Sequence, residues 1–267
     1  MQIKLVAIDI DGTLLGDDLV ISPGAKEAIR AAMAKGVHVT LATGRMYQSA
    51  LPYARELGVA VPLITYQGAL VKLSSNGQVL YHRELPLEYA REIIIRARKF
   101  GFHINAYHED SLYMEQDTNR GRKYSQVTGV EMHLVEDLTE FLHQDPTKIL
   151  LIGREGELDV MQEECRELFG DKVYITKSKN HFLEFTHPQA TKGCGVQAVN
   201  DWLGISPQDT MAIGDSYNDL EMFRHVGLSV VMGNARDAVK QAADYVTARQ
   251  EDDGVAEAIR KFVLLYD

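Results

Sequence analysis

The sequence predicts an α/β protein: a parallel sheet with helices on both faces, made from the two ends of the chain, with an α+β unit inserted between them. Three observations carry that expectation. Strand and helix patterns alternate over residues 3–66 and again from residue 192 onward, the rhythm of parallel βα units. Between those stretches, turn signals separate short apolar runs, which reads as hairpins mixed with helices. Hydrophobic residues make up 45 % of the 267 and charged ones 25 %, a composition that supports a packed core and excludes a disordered chain. At roughly 150 residues per domain the length fits about two domains.

Residues 3–8 are rich in branched side chains and stop at Asp9-Ile10-Asp11-Gly12, as a buried strand does. Ser22-Pro23 opens a helix, with the serine as N-cap and the proline at the first helical position. Ala25, Ala28, Ile29, Ala32 and Met33 then recur at helical spacing, and Gly36 ends the run. Residues 37–42 form a second strand ending at Thr43-Gly44-Arg45. A helix over 46–57, interrupted by Pro52, leads to a third strand of the sheet at 63–66.

After Gly68 the rhythm changes. Asn76-Gly77 is a hairpin signal between strands at 69–73 and 78–82. A helix over 87–100 ends at Gly101, and strands at 103–107 and 111–115 form a second hairpin. Strands at 148–153, 173–177 and 181–185 and a helix over 157–169 complete the middle stretch. The inserted unit is placed at residues 83–187, between core segments 1–82 and 188–267. The alternation then returns: helix 192–203, strand 210–214, helix 216–226, strand 228–232, and closing helices around 235–243 and 253–265. No internal repeat or low-complexity tract is present.

Lys plus Arg number 28 and Asp plus Glu 38, a formal net charge of −10. A surface of that sign repels phosphate backbones and anionic lipid, so neither nucleic acid nor membrane is an expected partner. An anionic substrate then needs locally concentrated positive charge or a metal ion. Cys165 and Cys194, the only cysteines, make neither a disulfide framework nor a C-x-x-C motif. No apolar run approaches the ~20 residues of a membrane span. Met1-Gln2-Ile3-Lys4-Leu5 enters the first strand without the basic and apolar regions of a secretory signal. A cytoplasmic, soluble enzyme is expected; oligomeric state is left open.

Open α/β sheets bind ligands beyond the carboxyl ends of their strands. The residues found there are Asp9 and Asp11, Thr43-Gly44-Arg45, Gln67-Gly68, and Gly214-Asp215 followed by Asn218 and Asp219. Taken singly, each aspartate reads as a helix cap or turn former. As a set they read as a cation site, because carboxylates brought together need a positive charge between them, and Mg²⁺ takes a few oxygen ligands. Gly12 allows close backbone approach to an anion, and Thr13 can fix the turn. Lys192 heads a helix, where dipole and free amides favour phosphate. Gly193-Cys194-Gly195-Val196-Gln197-Ala198 matches the dinucleotide fingerprint G-x-G-x-x-A but lacks the strand that must directly precede it, so it is set aside.

Asp9-Ile10-Asp11-Gly12-Thr13-Leu14-Leu15 resembles the D-x-D-G-T-L signature of the haloacid dehalogenase superfamily. Thr43-Gly44-Arg45 resembles its second motif, Lys192-Gly193 its third, and Gly214-Asp215-Ser216-Tyr217-Asn218-Asp219 its fourth. The insertion between Gln67 and Lys192 is similar to the class IIB cap of Cof-type phosphatases, including YidA-like sugar phosphatases. Gln67 departs from the pattern, since many relatives carry Asn in a T-Y-N-G-A stretch.

The resemblance implies a three-layer, Rossmann-like core and a Mg²⁺-dependent phosphatase of small phosphorylated metabolites. Sugar phosphates are the first candidates, flavin and pyridoxal phosphates the next. It implies Asp9 as the nucleophile that forms an aspartyl-phosphate and Asp11 as the acid and base. Mg²⁺ would be held by Asp9, the Asp11 backbone carbonyl and Asp215. Thr43, Lys192, Asn218 and the Ile10 and Gly44 amides would hold the phosphoryl oxygens, with Asp219 orienting Lys192 or the metal shell. The cap would supply the rest of the pocket and exclude water. A dehalogenase using the same nucleophile and a regulator that binds a phosphometabolite without turnover are the alternatives. A mutase fits less well, because the large insertion follows the third strand.

Overall fold

The computed structural model describes residues 2–264; Met1 and Leu265, the expected end of the last helix, lie outside that range. The chain separates into two compact units, one of residues 1–44, 50–81 and 191–267, the other of residues 45–49 and 82–190.

In chain order come β1 (Leu5–Ile8), α1 (Pro23–Ala34), β2 (His38–Leu41), α2 (Tyr47–Leu57), β3 (Pro62–Thr65), β4 (Leu70–Leu73) and β5 (Val79–His82). The middle holds α3 (Leu87–Phe100), β6 (His103–His108), β7 (Ser111–Met114), α4 (Asn119–Thr128), β8 (Met132–Leu134), α5 (Leu138–Phe141), β9 (Lys148–Ile152), α6 (Glu155–Phe169), β10 (Tyr174–Lys179) and β11 (Phe182–Thr186). The chain continues through α7 (Lys192–Leu203), β12 (Thr210–Gly214), α8 (Leu220–Phe223), β13 (Leu228–Val231), α9 (Asp237–Lys240), β14 (Tyr245–Val246) and α10 (Gly254–Ile259). Among the described residues no helix is long and apolar enough to cross a membrane.

The core sheet runs β14-β13-β12-β1-β2 with every pair parallel. β1 is buried along its whole length and lies inside the sheet between β12 and β2, where both faces must be apolar. Its register, Leu5 opposite Thr210 and Ile8 opposite Ile213, sets the carboxyl ends of β1 and β12 side by side. Ser22 caps α1 by accepting from the Ala25 amide at 3.0 Å, and Ala25, Ala28, Ile29 and Ala32 form its buried stripe.

Several elements depart from the sequence reading. β3 does not extend the parallel sheet; it pairs antiparallel with β4, Pro62 opposite Leu73, in a separate sheet β3-β4-β5. The chain reverses at Tyr66-Gln67-Gly68, so the nearest ladder is the local one, and a single parallel bridge joins Ala42 to Ile64. The expected helix over 216–226 is a 3₁₀ turn, Tyr217–Asp219, followed by α8. The turn forms because the Asp219 carboxylate folds back to accept from the Asp215 and Ser216 amides, each at 2.9 Å. α4, β8 and α5 have no counterpart in the reading; α4 buries only Gly121 and so carries no apolar stripe.

The second unit is the α+β cap, a sheet of order β10-β11-β9-β6-β7-β8. Alternation along its strands gives it two unlike faces. Ile104, Ala106, Ile149, Leu151, Leu183 and Phe185 join residues of α3 and α6 in one apolar core. The alternate positions carry His103, Asn105, Tyr107, Lys148 and Glu184, all buried and polar or polar-tipped. His103 meets Asn105 Oδ1 and the Thr118 hydroxyl at 2.9 Å each, Tyr107 OH donates to Tyr124 OH at 2.7 Å, and Lys148 Nζ donates to Glu184 at 2.9 Å. Burial lowers the pKa of His103 below its ordinary value.

Candidate active site

The site is built at the carboxyl edge of the core sheet, entirely from residues of the first unit. The Asp9 amide continues the β1–β12 ladder by donating to Ile213 O at 2.9 Å, which seats Asp9 at the mouth of the two central strands. The next residues turn at once: Gly12 N donates to Leu15 O and Leu15 N to Ile10 O. Gly12 has φ +86°, and a Cβ on it would stand 2.6 Å from Asp215 Oδ2, so this loop admits only glycine if Asp215 is to lie against it. The Thr13 hydroxyl donates to Asp215 Oδ1 at 3.0 Å and the Ser216 hydroxyl to Asp215 Oδ2 at 2.9 Å.

Lys192 is the first residue of α7, whose N-cap Thr191 accepts from the Cys194 amide. Its ammonium is almost fully buried and lies between two carboxylates, 2.5 Å from Asp9 Oδ1 and 2.6 Å from Asp219 Oδ1. Asp219 thus serves two ends, its second oxygen holding the Asp215 and Ser216 amides. One oxygen each from Asp9, Asp215 and Asp219 lies within 4.8 Å of the others.

Three carboxylates face one ammonium, an excess of two negative charges in a buried place. The electrostatics respond as they must. Burial pushes the Asp9 carboxyl well above the ordinary range, with Lys192 pulling it down and Asp219 and Asp215 pushing it further up. Burial, then the Asp219 charge, raises Asp215 to about 6. Burial acts to lower Lys192, but Asp219 and Asp9 outweigh it and hold the ammonium above lysine's usual value. A hard divalent cation answers this donor set: oxygen ligands only, convergent, and short of positive charge.

The remaining predicted residues fall as follows. Ile10 is fully buried beside Asp9, and Asp11 is half-exposed and stands outside the converging carboxylate set. Thr43 is buried beyond β2, its amide donating to Ile64 O at 2.8 Å and its carbonyl accepting from Gln67 N at 3.0 Å. Gly44 abuts the Gln67 side chain. Asn218 is buried and donates through Nδ2 to Gln67 Oε1 at 2.9 Å. One residue of the site escaped the sequence reading. Asn234 donates to Gly12 O at 2.9 Å and accepts from the Gln250 amide, clamping the loop after β1. It follows β13, and the rule of strand carboxyl ends, applied to one more strand, would have found it. Gln67 is placed by the sequence at the strand rim and as a departure from pattern, but with no contact foreseen.

With the parallel core, the inserted α+β unit and this acidic rim in place, the class of protein is defined. A family model of haloacid dehalogenase-like hydrolases matches residues 6–259, and the chain belongs to that family. Two Bacillus subtilis proteins, both named as 5-amino-6-(5-phospho-D-ribitylamino)uracil phosphatases, are similar over the whole length. YcsE is 33 % identical, covering 99 % of this chain and 97 % of its own. YitU is 29 % identical, covering 98 % of each. The solved structure of the HAD subclass IIB sugar phosphatase BT4131 aligns with a TM-score of 0.85 at 26 % identity, over 97 % of this chain and 98 % of that one. The chain is a hydrolase of the phosphatase kind, of class IIB.

Proposed function

We propose that the chain hydrolyses small, polyhydroxylated phosphomonoesters with Mg²⁺ as cofactor, sugar phosphates first and phosphorylated flavin precursors next. The observation that carries this reading is the buried Lys192 ammonium held between Asp9 and Asp219, with Asp215 completing an oxygen set short of positive charge. BT4131 supports the sugar phosphates, and YcsE and YitU the flavin precursors, by what those proteins are named to act on. Asp9, Asp215 and the Asp11 carbonyl are the groups proposed to hold the ion. When bound, it supplies charge that lets an anionic nucleophile meet an anionic ester.

Asp9 attacks phosphorus through a carboxylate oxygen. An Asp–O–P bond forms and the ester P–O bond breaks, while Asp11 gives its proton to the departing alkoxide. Asp11 then takes a proton from water, whose oxygen attacks phosphorus and frees phosphate and the Asp9 carboxylate. Lys192 has two tasks: its charge opposes the burial that raises the Asp9 carboxyl, and it meets the phosphoryl oxygens together with Thr43, Asn218 and the Ile10 and Gly44 amides. The cap, taken as residues 83–187 between core parts 1–82 and 188–267, is assigned the choice of leaving group. The acidic surface and the two free cysteines suit a reducing cytoplasm.

The test is phosphate release from a panel of sugar phosphates, ribitylaminouracil phosphate, flavin mononucleotide and pyridoxal phosphate, with Mg²⁺ and with a chelator. Turnover that needs Mg²⁺ and is lost in Asp9→Asn is the expected result. Chelator-resistant halide release would establish the dehalogenase reading instead, and ligand binding without any hydrolysis the regulatory one.

A further inference from the structure

The reversal after β3 is strained and tightly held. Tyr66, Gln67 and Gly68 all have positive φ, +52°, +62° and +99°, and two of the three are not glycine. Residues in that region persist only where their surroundings over-determine them. Here the surroundings are three separate loops of the site. Gln67 N donates to Thr43 O at 3.0 Å, and a Cβ on Gly44 would stand 2.5 Å from Gln67 Nε2. A Cβ on Gly68 would strike Thr191 O at 2.0 Å, directly before Lys192. Gln67 Oε1 accepts from Asn218 Nδ2 at 2.9 Å in the loop after β12. Gln67 itself is 1 % exposed.

Asn218 supplies the second observation. Its Oδ1 is buried and has no hydrogen-bond partner. A buried carbonyl oxygen left unpaired is unfavourable, and an amide free to turn would turn to satisfy it. Gln67 prevents the turn, because its Oε1 accepts only from the NH₂ end of Asn218.

We propose that Gln67 is a positioning residue for the phosphatase reaction, fixing the Asn218 amide so that its second Nδ2 hydrogen and its unpaired Oδ1 are both offered to the ligand. The hydrogen serves a phosphoryl oxygen. Oδ1 takes a hydrogen-bond donor, which a protonated phosphoryl oxygen or a substrate hydroxyl provides. This rests on the phosphatase reading, and it makes the side chain that departs from the family pattern a working part of the site.

Calorimetric titration of the Mg²⁺-supplemented protein with inorganic phosphate tests it, using wild type, Gln67→Met, Asn218→Ala and the double variant. Gln67→Met keeps the length and removes the strong acceptor. It should weaken phosphate binding about fivefold and raise KM in step, leaving kcat within about threefold. The double variant should bind within about twofold of Asn218→Ala alone, since Gln67 acts through Asn218. Losses that multiply, a Gln67→Met protein that binds as wild type does, or a fall in kcat with phosphate affinity unchanged would each overturn the proposal. A measurement on the wild type stands beside these. The Asn218 side-chain amide resonances, assigned by their disappearance in Asn218→Ala, should show one hydrogen slow to exchange, with the second slowing only when phosphate is added. Two fast hydrogens in both states would overturn the proposal even if Gln67→Met fails to fold. Absence of turnover in the wild type would count against the phosphatase reading alone, because phosphate binding and amide exchange still decide the role of Gln67.

Discussion

Each of the two units buries a lysine, and the two are used in opposite ways. In the cap, Lys148 and Glu184 are 2 % and 3 % exposed and meet at 2.9 Å as a charge-balanced pair, with the Ser178 hydroxyl also donating to Glu184. In the core, Lys192 is as deeply buried but faces Asp9 and Asp219, with Asp215 beside them. A balanced buried pair is complete and needs nothing from outside. An unbalanced one stays short of a cation, and that deficit separates a site from a structural ion pair of equal burial.

The comparison breaks most sharply at the nucleophile. Asp9→Asn should reduce phosphate release by on the order of a thousandfold or more while the thermal transition stays cooperative; retained turnover would end the aspartyl-phosphate scheme. Next comes removal of each lysine. Lys192→Met strands two buried carboxylates and should cost about 3–5 kcal/mol of stability as well as activity, with added Mg²⁺ restoring part of the stability. Lys148→Met strands one carboxylate and should cost about 3 kcal/mol, and Lys148→Met with Glu184→Leu should return to within about 1 kcal/mol of wild type. No such apolar rescue should exist for the core lysine. Denaturant titrations of the four proteins decide it.

A smaller effect separates the units by metal. Mg²⁺ at a hundred times its Kd should stabilise the core by about 2.7 kcal/mol and leave the cap's local stability unchanged. Asp215→Asn should remove most of that gain, as scanning calorimetry with and without chelator will show.

The gentlest probe is pH, where the units should move in opposite directions. Asp215 in the metal-free protein has its folded pKa raised to about 6 from 3.8, by burial and then by Asp219. Its contribution favours the fold below about 4 and is lost as pH rises through about 6. His103 has its folded pKa lowered by burial, so its contribution is present above the ordinary histidine value of 6.5 and is lost as pH falls below it. Amide exchange read separately in β12 and β6 should show the core gaining and the cap losing as the solution is acidified. Asp215→Asn should flatten the first trend and His103→Gln the second, and trends of one sign in both strands would refute the assignment.

Much of this was legible in the sequence, for identifiable reasons. Parallel strands buried on both faces are continuous apolar runs, so β1 and β12 and the acidic residues at their ends announce themselves. Helices with caps, such as α1 with Ser22-Pro23 and α3 with Gly101, are equally plain. What was hidden depends on side chains reaching across the fold. Asp219 turning back onto two amides converts an expected helix into a 3₁₀ turn, and no periodicity signals that. α4 was hidden because its ten residues bury little more than a glycine. The contacts of Gln67 and Asn234 were hidden, although both residues follow strand carboxyl ends, because they join loops that meet only in three dimensions.

The pairing of β1 with β12 has a consequence for how the protein is made. Leu5 must find Thr210, so β1, once made, waits for more than two hundred residues before its central neighbour exists. At roughly 5–20 residues per second that is an interval on the order of 10–40 seconds. The whole of the 82–190 segment emerges within it, with a sheet and an apolar core of its own. Nascent chains of increasing length should therefore acquire protease resistance in the cap first, and the acidic rim should come into being only after its charges can be brought together around Lys192.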